Sequence, residues 1–167
     1  FYNIRRKELL QSYPNDAHTS LNRLKQRYNL SIITQNIDDL HERSGSSDVL
    51  HLHGKLRESR SIIDNQVYKI KGPDLNIGDV CDKGGQLRPN VVWFGENVPN
   101  MSQAIELVIQ AHIFIIIGTS LNVYPAASLI DFVGSILFSI PHNPDPKATD
   151  IARYGFESAD ANLYSTR

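Results

Sequence analysis

Apolar positions come in short blocks along this chain, and their spacing switches between the helical and the strand period. Residues 1–10 carry strong helix formers in their C-terminal half. Tyr2 and Arg5 share one face there, Arg6 and Lys7 turn elsewhere, and on spacing alone this is a solvated basic helix. After Pro14, Asn15 or Asp16 is placed to cap a second helix. Its stripe of Ala17, Leu21, Leu24 and Tyr28 falls at i, i+4, i+7 and i+11, with Arg23, Lys25 and Arg27 outside. Asn29 stops that helix, and residues 30–34 form a buried strand that ends in the polar cluster Thr34-Gln35-Asn36. A short helix follows, broken by Gly45, and a second short strand presents His51 and His53 beside Gly54.

Residues 55–86 change character. They are polar, carry Gly72-Pro73, Gly78 and Gly84-Gly85, and alternate only in short pieces such as 62–68. A stretch this long without strong period predicts a small inserted module rather than another βα unit. A strand returns at 91–94, ending at Gly95, and a helix at 101–110 turns Ile105, Val108 and Ile109 inward. Residues 112–118, HIFIIIG, are the most hydrophobic run and predict a strand buried on both faces of a parallel sheet. Gly118-Thr119-Ser120 stands at its C-terminal end, and Pro125 opens a helix at a first-turn position. A last apolar strand occupies 135–140, prolines make 141–146 a loop, and 147–154 reads as a short helix. The sum is an α/β chain: a Rossmann-like parallel sheet from 1–54 and 87–167, interrupted by the module 55–86.

Composition narrows the function classes. Of the 167 residues, 41% are hydrophobic and 21% charged, a globular balance. A net charge of −1 gives no basic field for nucleic acid or a membrane surface, and no apolar run reaches membrane-spanning length. The single cysteine, Cys81, excludes an internal disulfide framework, fits a reducing compartment such as the cytoplasm, and rules out a cysteine-based four-ligand zinc site. Phe1 is no initiator methionine, and residues 1–10 read as the interior of a longer chain, truncated at the N-terminus.

The candidate chemistry sits at strand ends, where open α/β sheets bind ligands. The amides and hydroxyls of Gly118-Thr119-Ser120 suit a phosphate or a ribose, and a tight turn needs the same small residues. His51 and His53 share a face if their strand is regular. With no carboxylate or cysteine to complete a set they predict no metal. Gly54 beside His53 allows close approach of a ligand or of another backbone.

Thr34-Gln35-Asn36-Ile37-Asp38-Asp39-Leu40-His41 followed by His53-Gly54 resembles the signature of the sirtuins, NAD-dependent protein-lysine deacylases. Leu87-Arg88-Pro89, Val91-Val92-Trp93-Phe94-Gly95-Glu96, Gly118-Thr119-Ser120 and Val123-Tyr124-Pro125-Ala126-Ala127 follow in the family's order. The resemblance implies that Gln35, Asn36 and Asp38 hold the nicotinamide ribose and that His53 is the general base for a ribose hydroxyl. It gives Gly118, Thr119 and Ser120 the phosphates and adenosine ribose, and Asn143 a second ribose contact. Trp93, Phe94, Gly95 and Glu96, with Asn122, Val123 and Tyr124, would sandwich an acylated lysine peptide as an added strand. Tyr2 and Arg5 match the Tyr-x-x-Arg pair of sirtuins that favour acidic acyl groups, which implies desuccinylase and demalonylase activity beside deacetylation. The products would be nicotinamide, free lysine and O-acyl-ADP-ribose.

Two departures qualify the resemblance. The family's zinc ribbon uses two Cys-x-x-Cys pairs, but here Ser61 stands near the first and Cys81 is followed three on by Gly84, so the module is expected to be zinc-free. The glycine-rich loop of the family's first strand has no counterpart in this sequence, which predicts a gap in the sheet between two unpaired edges. The alternative reading is a catalytically silent sirtuin-like remnant that binds NAD, ADP-ribose or a peptide.

Overall fold

The computed structural model describes residues 1–134 and 136–140, so Ser135, Asn143, the 141–146 loop and the 147–154 helix lie outside the described residues. The chain forms two compact units, Phe1–Met101 and Ser102–Arg167.

The first unit begins with α1 (Tyr2–Gln11) and α2 (Asp16–Leu24). The face of α1 assigned to solvent is not wholly solvated, because Arg6 is only 1% exposed. Its Nε donates to the Leu56 carbonyl at 2.8 Å, and its Nη1 donates to Asn3 Oδ1 at 2.7 Å and the Pro73 carbonyl at 2.6 Å. Burial lowers its hold on its proton, and the charge of Asp74 opposes that. A buried guanidinium is costly unless its donors are used; here Nε and Nη1 tie the helix to the rest of the unit, while Nη2 is buried with no protein partner. Asn15 caps α2 by accepting from the Ala17 and His18 amides, and His18 Nδ1 accepts in return from the Asn15 amide. The helix stops at Leu24, the chain closes into a turn, and Tyr28 is left outside the apolar stripe and exposed.

Next come β1 (Ile32–Thr34), α3 (Leu40–Arg43) and β2 (Val49–His51). β1 and β2 pair in parallel, with Thr34 opposite His51. Gly45 ends α3 at φ +98°, the left-handed closure that glycine adopts at little cost. A second sheet is antiparallel, with β3 (Gly54–Ser61) between β4 (Val67–Lys69) and β5 (Leu87–Val91). The strand expected at 91–94 therefore lies earlier. Pro89 is accommodated because β5 is an edge strand, where a missing donor costs no ladder bond. Trp93 and Phe94 instead enter a turn in which the Glu96 amide donates to the Trp93 carbonyl at 3.0 Å. Gly95 at φ +86° occupies the position that a type II turn reserves for glycine.

The second unit contains all but the first residue of α4 (Met101–Gln110), together with β6 (Ile113–Ile117), a 3-10 helix (Ala126–Phe132) with Pro125 at its N-cap, and β7 (Ile136–Ile140). Ala104 and Val108 are the buried residues of α4, while Ile109 is exposed rather than inward. β6 and β7 pair in parallel over five residues, from Ile113 opposite Ile136 to Ile117 opposite Ile140. β6 is not buried on both faces. Ile116 is 6% exposed, but Ile113, Ile115 and Ile117 are 50%, 42% and 47% exposed. Side chains alternate along a strand, so one face of this pair is covered and the other is open.

Candidate functional site

The first cluster forms where β1 ends. Thr34 Oγ1 accepts the Asn36 amide at 3.1 Å and turns the chain at Gln35. His51 Nδ1 lies 2.9 Å from the Asn36 carbonyl and His53 Nδ1 lies 3.0 Å from the Gln35 carbonyl. A carbonyl can only accept, so Nδ1 of each ring carries the proton. In its neutral form His53 then presents the lone pair of Nε2, the state a general base requires.

The regular strand expected to carry both histidines stops at His51. Each ring nevertheless turns back to the same bend. Gly54 adopts φ +84°, and a Cβ there would lie 2.0 Å from the Asn90 carbonyl oxygen. The close approach this glycine allows is therefore that of another backbone, β5.

His51 is 3% exposed and sits between two oxygens, because its Nε2 is 2.9 Å from Glu42 Oε1. Lys55 Nζ donates to that same oxygen at 3.0 Å. Burial pushes the Glu42 carboxyl up, but hydrogen bonds from Lys55, its own backbone and His51 outweigh burial and hold it below its ordinary value. Asn100 donates to the His51 carbonyl at 2.8 Å. Nearby, His41 packs 4.8 Å from the His18 ring, and burial first, then the charge of His18, lowers its pKa. Sequence reasoning missed Glu42 and Lys55. No spacing rule marks them, because they reach His51 from α3 and β3.

Asp38 Oδ1 accepts the Leu40 amide at 3.0 Å at the start of α3. It also lines a cavity of about 340 Å³ together with Tyr2, Arg5, Glu8, Ile37 and Leu56. Tyr2 and Arg5 thus meet Asp38, 33 or more positions further along the sequence, at one cavity. Arg5 Nη1 there pairs with Glu8 Oε2 at 2.8 Å.

Beside this cavity stands the turn at 93–96. Glu96 accepts from Arg88 at 2.6 and 2.7 Å, from Arg60 at 3.0 Å and from the Trp93 amide at 3.0 Å. These bonds, Arg88 first, hold its pKa down at about 2. Phe94 is fully exposed. The carboxylate of Glu96 therefore faces inward to the turn's own supports; Arg88, quoted in the sequence only as part of Leu87-Arg88-Pro89, is one of them, and Arg60 is a residue the motifs did not single out.

In the second unit, Gly118 leaves β6 at φ +66°, and its amide donates to the Ile140 carbonyl at 3.2 Å. Thr119 Oγ1 accepts the Leu121 amide at 3.2 Å, and Ser120, Val123 and Tyr124 are exposed. These residues lie in one loop at the C-terminal end of a parallel strand.

The residues at the zinc-ribbon positions do not fit a metal. The Cys81 thiol donates to Ser61 Oγ at 3.4 Å inside the protein, and Asp64 pairs with Lys83 at 2.8 Å. That bond with Ser61 lowers the Cys81 pKa, with burial opposing. Gly84 brings no side chain. One thiol and one hydroxyl already bonded to each other leave no tetrahedral donor set.

Residues 1–125 match the sequence model of the Sir2 family. The chain belongs to the Sir2 family. A Helicobacter pylori protein named NAD-dependent protein deacylase is 59% identical over 130 residues, covering 77% of this chain and 56% of that protein. A Bacteroides thetaiotaomicron protein of the same name is 47% identical over 158 residues, covering 90% of this chain and 66% of its own length. The chain thus spans between about half and two thirds of these relatives. The solved complex of a Sir2 homologue with NAD superposes with a TM-score of 0.78 at 40% identity, covering 86% of this chain and 59% of that one. A Sir2 complex with a p53 peptide and NAD gives 0.71 at 34% identity, covering 83% and 62%. The fold is accordingly the Rossmann-like α/β fold of the sirtuins. Among the described residues no helix is long and apolar enough to cross a membrane.

Proposed function

We propose that this chain carries the working site of an NAD-dependent protein-lysine deacylase that removes acetyl groups and acidic acyl groups such as succinyl and malonyl. The observation that carries the reading is the hydrogen bond from His53 Nδ1 to the Gln35 carbonyl, because it sets the tautomer in which Nε2 accepts a proton. NAD, when bound, would supply nicotinamide as the leaving group and the ribose hydroxyl that ends up carrying the acyl group. The chain's part is then to hold the ribose between Gln35, Asn36 and Asp38 and to take its hydroxyl proton on His53. Gly118, Thr119, Ser120 and Asn143 serve the phosphates and the second ribose. Trp93, Phe94, Gly95, Glu96, Val123 and Tyr124 serve the peptide. Tyr2 and Arg5, at one cavity, are the pair for an acyl carboxylate: a guanidinium fork with a phenol donor. The module 55–86 holds its shape without zinc.

Nicotinamide release, measured with and without an acyl-lysine peptide, tests this. Release that depends on the peptide, and that falls on the order of a hundredfold or more in His53→Gln, is the expected outcome. Binding of NAD without release would favour the silent alternative, and release without peptide would make the protein an NAD hydrolase.

A further inference from the structure

We infer that Trp93 sets the preference for acidic acyl groups by fixing the hydroxyl of Tyr2 as a hydrogen-bond donor. This rests on the acyl-pocket reading above and deepens it. The Trp93 indole Nε1–H donates to Tyr2 Oη at 3.0 Å, across 91 positions of sequence. An indole nitrogen is a donor only, so the direction of this bond is not in question. A phenol that accepts at one lone pair keeps its single proton for another partner, and acceptance strengthens that donation. Tyr2 lines the cavity with Arg5, whose guanidinium also only donates. Two donors suit a carboxylate terminus, which would take the place that Glu8 now holds on Arg5, and offer nothing to a methyl terminus.

The indole is itself held. The Arg88 guanidinium lies 4.0 Å from its ring centroid, a cation–π contact. Arg88 is fixed in turn by both oxygens of Glu96, which also receive Arg60 and the Trp93 amide. The peptide-side turn and the acyl cavity are therefore joined through one bond, and Trp93 acts on the acyl group through Tyr2. It is a positioning residue with respect to that group.

The test compares kcat/KM for succinyl-lysine and acetyl-lysine on one peptide sequence, in Trp93→Phe, Tyr2→Phe, the double variant and Arg5→Met. Phenylalanine keeps an aromatic face for Arg88, though a smaller one, and removes the N–H. Trp93 remains 44% exposed, so a moderate effect is expected. Trp93→Phe should lower the succinyl-to-acetyl ratio about three- to tenfold, the scale of one neutral hydrogen bond, and mainly through KM. The double variant should lose no more than Tyr2→Phe alone, as residues acting through one another are non-additive. An unchanged ratio in Trp93→Phe, or losses that multiply in the double variant, would overturn the inference when Arg5→Met still lowers the ratio. A ratio unmoved by Arg5→Met as well would remove the acyl-pocket reading and this inference with it.

Discussion

Gly54 is where the histidine bend closes against β5. A methyl group there would sit 2.0 Å from a backbone oxygen, in a chain segment already at φ +84°. Neither a rotamer nor a flexible neighbour relieves that. Gly54→Ala is therefore expected to cost about 3 kcal/mol or more, read as a fall in the urea midpoint, or to prevent folding. A midpoint within experimental error of the parent would show that β3 and β5 separate easily. The same residue marks the limit of sequence reasoning at this scale. A glycine after His53 announces that something comes close, and only the pairing of distant strands says that it is Asn90. His51 and His53 divide likewise: the spacing puts two rings on one face, while Glu42 and Lys55 hold His51 in a buried ion cluster that His53 does not share.

At the scale of the element, the turn at 93–96 draws its geometry from one carboxylate. Glu96 titrates near 2 when folded against an ordinary 4.5. Its folded pKa is depressed, so its contribution is complete above 4.5 and is lost as pH falls toward 2. Glu96→Gln should lower stability at pH 7 and flatten the loss of stability between pH 4.5 and about 2, measured by denaturation at a series of pH values. A parallel loss in both proteins would mean that the arginines hold the turn without the charge. Helices with clear signals, α1, α4 and the Asn15 cap of α2, are legible in the sequence, because caps and propensities are local. The strand misplaced to 91–94 is not. Its apolar run is genuine, but Glu96 and Gly95 spend the Trp93 amide and carbonyl on a turn instead of on a ladder.

For the whole molecule, the order of motifs reveals the family and thereby the Rossmann-like class, which periodicity alone supplies only in outline. What it does not supply is coverage. The run of isoleucines in β6 reads as doubly buried, yet burial belongs to the layers around a strand and not to the strand. The ribbon is the opposite case, since a loss of cysteines is visible in the sequence and its replacement is not. The Ser61–Cys81 bond now joins the region of the first cysteine pair to that of the second, and the Asp64–Lys83 pair lies in the same module. Purified protein should therefore contain well under one zinc per chain, and a strong chelator should leave its Tm unchanged. Stoichiometric zinc with a Tm lowered by chelation would contradict that arrangement.

Trp93 is the only tryptophan of the chain, lies beneath a guanidinium and donates to Tyr2 at the cavity. All indole fluorescence therefore originates at this one seam. The protein carries its own optical probe, placed where the peptide turn meets the cavity. Changes in emission on adding an acylated peptide report events at that seam with no dye attached, and the first emission shift during denaturation times the opening of the turn rather than the melting of the molecule.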